Sequence, residues 1–426
     1  MIKIGLLGLG TVGSGVYSIL EKHSENLKSK IGTGLQIEKI LVRDVSRQRD
    51  IDFDSGLLTD KAEDILDNPE IHLVVELIGG EEPAYQYILK ALNNGKSVVT
   101  ANKLLIAKYG QELMKLAAEK GVSLYFEASV AGGIPIIRPL RESFAANKIE
   151  RIYGILNGTT NYILTKMTGE GQDLETALKE AQRLGYAESD PGSDISGADA
   201  AYKIAILSSL AYETVIDIND VHIEGIENIE PEDIEIAREL GYLIKLLAIS
   251  KFTADGVDIR VHPAFIPENH PLASVSDAYN AIYLHGDSVG DVMLYGQGAG
   301  RLPTASAVVA DIIQAGKEIY YGSPDINGDI YKNVHKVMDI SQVENSFYLR
   351  LQVKDKPGVL AKIAEVLGKN QVSLASVIQK HRQNPVVPIV LVTHQVKEEN
   401  LQKSIAGFKN IGEIVAVNNI IRVEEL

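Results

Sequence analysis

The chain has 426 residues, 45% apolar and 23% charged, with 42 lysines and arginines against 57 aspartates and glutamates, a net charge of -15. That length calls for two or three domains, each with its own core, and the acidity leaves no electrostatic footprint for nucleic acid. Cysteine is absent, which excludes disulfides, thiolate metal sites and a cysteine nucleophile, and no run nears the roughly 18 apolar residues of a membrane span, so a cytoplasmic protein is expected.

From the N-terminus, IKIGLL (2–7) is a compact apolar strand candidate, followed at once by GLGTVG with Gly8, Gly10 and Gly13 at the GxGxxG spacing. Val12, Val16, Ile19 and Leu20 then recur at helical intervals, so Thr11 and Val12 open a helix whose free N–H groups suit a pyrophosphate. An ordinary tight turn is the alternative, weakened by the strand–glycine–helix context. After an insertion over 23–34, a second strand is read over Leu35–Val42. It ends at Arg43, and an arginine there suits the 2′-phosphate of NADP(H), with NAD(H) still possible. Arg47 and Arg49 read equally well as solvated loop charges. Strands at 72–78, 96–101 and 122–128 alternate with helices at 83–93 and 109–120, the α/β pattern of a Rossmann-type parallel sheet. Ligands of such sheets lie beyond the carboxyl ends of the strands, where Gly79, Gly80, Asn102 and Lys103 fall. Lys103 reads equally as a surface lysine.

Next come a strand at 151–157, the turn GTTNYI, and a helix at 174–184 that Gly185 can cap. The stretch GYAESDPGSDISGADAAYK then loads acids onto a Pro/Gly turn, and ADAAYKIAILSSLAY reads as a helix that projects Asp199 and Lys203 from one face. A surface ion pair is the plain reading of that spacing. The apolar neighbours Ile204 to Leu207 instead put the lysine at the edge of a core. Glu188, Asp190 and Asp194 crowd the preceding loop, at a cost unless a cationic ligand or the lysine offsets it, so a polar substrate site is expected. Downstream, YGQGAGRLPTASAVVADII (295–313) is a second glycine turn, with a proline starting a helix.

After Tyr320, GSPDINGD marks a boundary. Phe347, Leu349, Leu351 and Val353 alternate with Tyr348, Arg350 and Gln352 as a half-buried strand, and DKPG leads into a helix with Val359, Leu360, Ile363, Val366 and Leu367 on one face. Two strands, a helix over 397–408 and a last strand complete a βαββαβ, ferredoxin-like order.

GLGTVG, VVTANK, GILNGTTNYI, the acidic stretch and GQGAGRLPTA occur in one order, and over nearly its whole length the chain resembles homoserine dehydrogenases that carry a C-terminal ACT domain. DKPGVLAKIAEVLG carries the ACT likeness. The resemblance implies interconversion of L-aspartate 4-semialdehyde and L-homoserine, in threonine and methionine biosynthesis, by NADPH or NADH. It implies Lys203 as the proton-transfer lysine, Glu188 and Asp199 as acids that hold the substrate with Tyr186, Asp194 and Thr159 beside them, and Lys103 near the nicotinamide. Gly79, Gly185 and Gly300 would line the cofactor, and Glu127, Val130, Gly132 and Ile134 would hold a structural Na+. Threonine would bind the ACT domain near Gly358 and Asp355–Leu360, with Gln379–Asn384 reaching across an interface; a tail that only supports assembly is the alternative. A homodimer or homotetramer is implied. The expected division is a dinucleotide-binding domain (1–128), a substrate and dimerisation domain (129–320, its last helix able to pack back on the first), a linker (321–346) and an ACT domain (347–426).

Hydride addition to an aldehyde leaves an alkoxide that needs a proton, which an ammonium can give. Free lysine titrates at about 10.4, so burial or a second lysine, Lys103, would tune it. Reduction at the acyl-phosphate level needs a thiol, which this chain lacks. Two rivals stay open: another short-chain amino- or hydroxy-acid dehydrogenase, and an amino-acid sensor without turnover.

Overall fold

Six apolar residues form β1 (Ile2–Leu7), and the glycines behind them turn the chain into α1 (Thr11–Lys22). The structure, a computed structural model, describes residues 1–49, 51–323, 331–379 and 384–425. The expected insertion is itself helical: α2 (Ser24–Ile31) buries Leu27 and Ile31 and closes on Gly32 at φ 95°. Alternation continues through β2 (Leu35–Leu41), β3 (Leu58–Thr59), α3 (Glu63–Leu66), β4 (Leu73–Glu76), α4 (Ala84–Asn93), β5 (Ser97–Thr100), α5 (Lys103–Lys120) and β6 (Leu124–Tyr125). Helix α5 starts six residues before the expected Tyr109, because the Asn102 side chain accepts from the Leu105 N–H and caps it there. The third expected strand shortens to β6, since Glu127–Ser129 coils into a 3-10 turn.

Beyond lie β7 (Ile149–Ile155), α6 (Gly158–Glu170), α7 (Leu174–Arg183), α8 (Gly192–Ile195), α9 (Ala198–Ala211), β8 (His222–Ile223), α10 (Pro231–Glu239), β9 (Tyr242–Thr253), β10 (Gly256–Pro267), β11 (Tyr279–Gly286), β12 (Gly290–Gln297) and α11 (Arg301–Tyr321). GTTNYI is therefore not a turn but the first turns of α6, capped by Asn157. Helix α11 begins at Arg301, two residues before the proline expected to start it. The tail adds β13 (Glu344–Lys354), α12 (Val359–Lys369), β14 (Leu374–Gln379), β15 (Val386–Thr393), β16 (Val396–Lys397), α13 (Glu398–Phe408) and β17 (Ile414–Val423).

Two compact units emerge: Met1–Ile152, Tyr202–Ile218 and Asn280–His335 in the first, Tyr153–Ala201, Asn219–Tyr279 and Lys336–Leu426 in the second. In the first, the described residues form a sheet of order β3-β2-β1-β4-β5-β6 with every pairing parallel. Strand order reverses between β1 and β4, the place where such sheets take a ligand. Leu6, Val75 and Val99 pack with Val16 and Leu20 of α1 and with Val308 and Ile312 of α11. Each such side chain contributes about 1.5–3 kcal/mol on leaving water.

In the second unit, β9 and β10 form a long antiparallel hairpin, and the tail folds as a sheet of order β17-β13-β15-β14, all antiparallel. Its helices cover one face, where Phe347, Leu349, Leu351 and Val353 meet Val359, Ile363 and Leu367; Leu360 instead is 39% exposed. The opposite face is buried too, against the half-buried expectation: Tyr348 is 0% and Arg350 1% exposed, because Arg350 inserts among Glu230, Glu232 and Asp233 at the start of α10. Strand β17 also pairs in parallel with β10, Arg422 opposite Ala264 and Val423 opposite Phe265. Of the expected linker, 324–330 lie outside the described residues, as do 380–383 of the expected effector loop. Gly358, at φ 89°, caps α12.

Candidate active site

At the reversal point in the first unit a cavity of about 730 Å³ is lined by Gly8, Gly10, Thr11, Arg43, Tyr87 and Arg301, among others. The three glycines differ in why they are small. A Cβ at Gly8 would lie 2.9 Å from the Leu77 carbonyl, and one at Gly13 would lie 2.3 Å from that of Gly8. At Gly10, with an ordinary φ of −83°, a Cβ would meet no protein atom within 4 Å. The fold does not need glycine there, and the space left open lies at the start of α1, where helix N–H groups can receive an anion. Val12 and Gly13 stand behind the lining, inside α1. Arg43, Arg47 and Arg49 all border the cavity. Arg49 folds back on its own loop, donating to the carbonyls of Arg47 (2.7 Å) and Asp44 (2.8 Å).

Arg301 enters the same cavity from the second glycine turn, one residue past Gly300 at φ 122°. Its Nη2 donates to the Ser18 hydroxyl at 3.3 Å, and its buried Nε has no protein partner among the described residues. Sequence reading passed over this residue, although its place at the first position of a helix after a glycine turn marks it.

The Gly79–Gly80 turn after β4 is held by a buried carboxylate that also went unread. Glu76, 0% exposed, accepts from the N–H groups of Ile78 (2.7 Å) and Gly79 (3.1 Å) with one oxygen and from the Thr100 hydroxyl (2.6 Å) with the other. Asn102 donates to the Gly80 carbonyl at 2.7 Å while it caps α5, so the half-buried Lys103 stands at a fixed helix start.

In the second unit the acids divide. Asp194 of α8 and Asp199 of α9 converge on Asn157, whose Nδ2 donates to Asp194 Oδ1 at 2.7 Å and to Asp199 Oδ2 at 2.8 Å. Glu188 and Asp190 are exposed, and Asp190 accepts from the Gly192 N–H. Thr159, buried, donates to the Tyr186 carbonyl at 2.6 Å, and the Tyr186 ring lies 5.0 Å from that of Tyr162. Gly185 takes φ 78° just past α7. Helix α9 carries Asp199 (4% exposed) and, one turn on, Lys203 (9%), so both are core-side groups rather than a solvated pair.

The expected cation set lies in the turn after β6. Glu127 accepts from the N–H groups of Ile136 (2.6 Å), Ile137 (2.8 Å) and Arg138 (2.9 Å), so its carboxylate staples the turn. Backbone bonds within the turn go to the carbonyls of Glu127, Ala131 and Gln297, and Ala131 and Gly132 take φ 54° and 51°. Asp311 accepts from the Glu127 N–H at 2.8 Å; burial and then the Glu127 charge push its carboxyl up to about 8. Among the described residues no cluster of three or more histidine or acidic side chains could hold a metal ion, and no helix is long and apolar enough to cross a membrane.

The family described as homoserine dehydrogenase matches residues 135–313, its NAD binding domain matches 8–127, and the ACT domain family matches 347–408. A homoserine dehydrogenase of Bacillus subtilis is 41% identical over 99% of this chain and 98% of its own length, and one of Pseudomonas aeruginosa 40% over 100% and 99%. Among solved structures, a homoserine dehydrogenase from Thiobacillus denitrificans superposes with a TM-score of 0.94 at 42% identity, covering 99% of this chain and 98% of that one. A hyperthermophilic archaeal homoserine dehydrogenase in complex with NADPH matches at 0.62 and 32% identity, covering 74% of this chain and 97% of that one.

Proposed function

Because the chain belongs to the homoserine dehydrogenase family, NAD(P)-dependent oxidoreductases acting on a CH–OH group, we propose that it prefers NADPH, uses Lys203 as its proton donor and answers to threonine through its ACT domain. The observation that carries this reading is the turn of α9 on which Asp199 and Lys203 are both buried, with Asp199 held by Asn157. Bound NADPH supplies the hydride. Lys203 gives the proton that the alkoxide oxygen of the reduced aldehyde requires, and Lys103, at the capped start of α5, adds positive charge beside the nicotinamide. Glu188 and Asp199 hold the substrate ammonium, with Asp194, Thr159 and Tyr186 around it. Gly8, Gly10 and Thr11 receive the pyrophosphate, with Arg301 as a further cation, and Gly79, Gly185 and Gly300 give backbone approach.

Arg43 is the phosphate reader of this proposal. Replacing it by alanine should raise the KM for NADPH roughly tenfold or more, the worth of a charge-assisted hydrogen bond, and that for NADH far less. Equal changes with both cofactors, measured by initial rates, would remove the role. The cation, Na+, suits the hard main-chain oxygens of Val130, Gly132 and Ile134 in the turn that Glu127 staples. We assign the enzyme to the cytoplasm as a homodimer or homotetramer; Val377, 41% exposed on the terminal strand β14, supports pairing between ACT sheets.

NADP-dependent oxidation of L-homoserine, with and without L-threonine, tests the whole. Turnover that threonine suppresses is expected. Absence of turnover would sink the catalytic reading, and indifference to threonine would leave the tail as an assembly module.

A further inference from the structure

The Asn157 side chain touches two of the acids at once. It is 5% exposed and occupies the N-cap of α6, where its Oδ1 accepts from the Thr160 N–H at 2.8 Å and the Thr160 hydroxyl at 2.9 Å. A backbone N–H can only donate, so the amide cannot be turned over, and its NH2 must face the carboxylates. Its two hydrogens are then divided, one to Asp194 on α8 and one to Asp199 in the first turn of α9. Those helices are separate pieces of chain, joined at Gly197 with φ 84°, where a Cβ would press on Val261 at 3.1 Å. The Ile226 N–H in turn donates to the Ile195 carbonyl at the end of α8.

Two carboxylates brought to one point repel, and without compensation one of them takes up a proton and stops accepting hydrogen bonds from a cation. We propose that Asn157 is the positioning residue of the substrate acids: one amide group sets the spacing of Asp194 and Asp199 so that both can receive a cationic substrate group. This rests on the reading, given above, that Asp199 holds the substrate ammonium with Asp194 beside it. The capping role and the positioning role are separable by chemistry, because aspartate and serine also cap helices well but lack the paired donor.

Asn157→Asp keeps the capping oxygen and turns both donors into an acceptor. The charged groups facing the introduced carboxyl are Asp194 from α8 and Asp199 from α9; α6 itself presents the uncharged Thr160, and Lys203 stands one turn beyond Asp199. Both neighbours raise the pKa of the introduced carboxyl. The KM for homoserine should rise at least about tenfold above that pKa, with the KM for NADP+ unchanged, and should recover as falling pH protonates the new carboxyl and restores one donor. Asn157→Ser, with a single hydroxyl donor, should raise the same KM without the added pH limb and serves if the first variant does not fold. If both variants fold and show the wild-type KM and pH profile, with a change only in melting temperature, Asn157 is a cap and the proposal fails. A wild-type chain that does not turn over homoserine would instead sink the reading beneath it, and this proposal with it.

Discussion

Lys203→Ala should lower kcat for homoserine oxidation by roughly 10²- to 10⁴-fold, the range that a positioned general acid or base supplies. NADPH affinity, measured by fluorescence titration, should hold, because the cavity that suits the dinucleotide is lined by the glycine turn after β1, the start of α1, the Arg43 loop, the segment after β4 and Arg301, not by α9. Lys203 is 9% exposed and followed on α9 by Ile204 (0%) and Leu207 (0%), so truncation removes a charge from a packed, water-poor place that solvent does not refill with another. Added methylamine should restore part of the lost rate if proton delivery is what alanine removes. Undiminished turnover would take Lys203 out of the mechanism.

The largest loss of stability is expected at Arg350→Met. The guanidinium donates to Asp233 at 2.7 and 3.1 Å, to Glu230 at 2.6 Å and to Glu232 at 2.9 Å. Burial works against its charge, yet the Asp233 and Glu230 carboxylates outweigh that and hold it above its usual range. Asp233 is 0% exposed, and without the arginine its donors among the described residues are all neutral: the Tyr348 hydroxyl (2.9 Å), the Asn419 amide (2.8 Å) and the Glu230 N–H (3.1 Å). Breaking a buried ion pair on one side costs about 3–5 kcal/mol, whereas replacing both sides can be nearly neutral. Denaturant melting of the full chain should therefore show a marked drop for Arg350→Met, and a partial recovery when Asp233→Asn is added. A single variant as stable as the wild type would show that the network contributes nothing.

Arg350 also shows what sequence could not reveal. Its strand alternates apolar and polar residues, which reads as one wet face, and the carboxylates that dry that face lie about 117 positions away along the chain. No local period carries such a partner. Glu76 is hidden for the same reason, inside the apolar run that forms β4, with its hydroxyl partner Thr100 on the next strand. What was legible is what local physics dictates: the strand–glycine–helix start, the alternation that yields the parallel sheet, the ferredoxin-like tail, and Asp199 and Lys203 on one helix. The acidic stretch was legible only as a crowd. Which acids meet is decided by Asn157, a helix cap that the local sequence presents as the end of a strand, with GTTNYI behind it as a turn.

The C-terminal strand has one more meaning. Because β17 runs alongside β10, and because the Glu424 N–H donates to the Phe265 carbonyl while its carboxylate takes the fully buried Arg260 at 2.7 Å, the ACT domain is stitched into the same hydrogen-bond ladder as the hairpin strand beside it. A chain clipped ahead of Ile414 would bare a sticky strand rim and leave interior Arg260 with Asp258 as its remaining carboxylate. Premature stops near the end would then act first as solubility defects, so the role of the tail is better tested by point changes than by trimming.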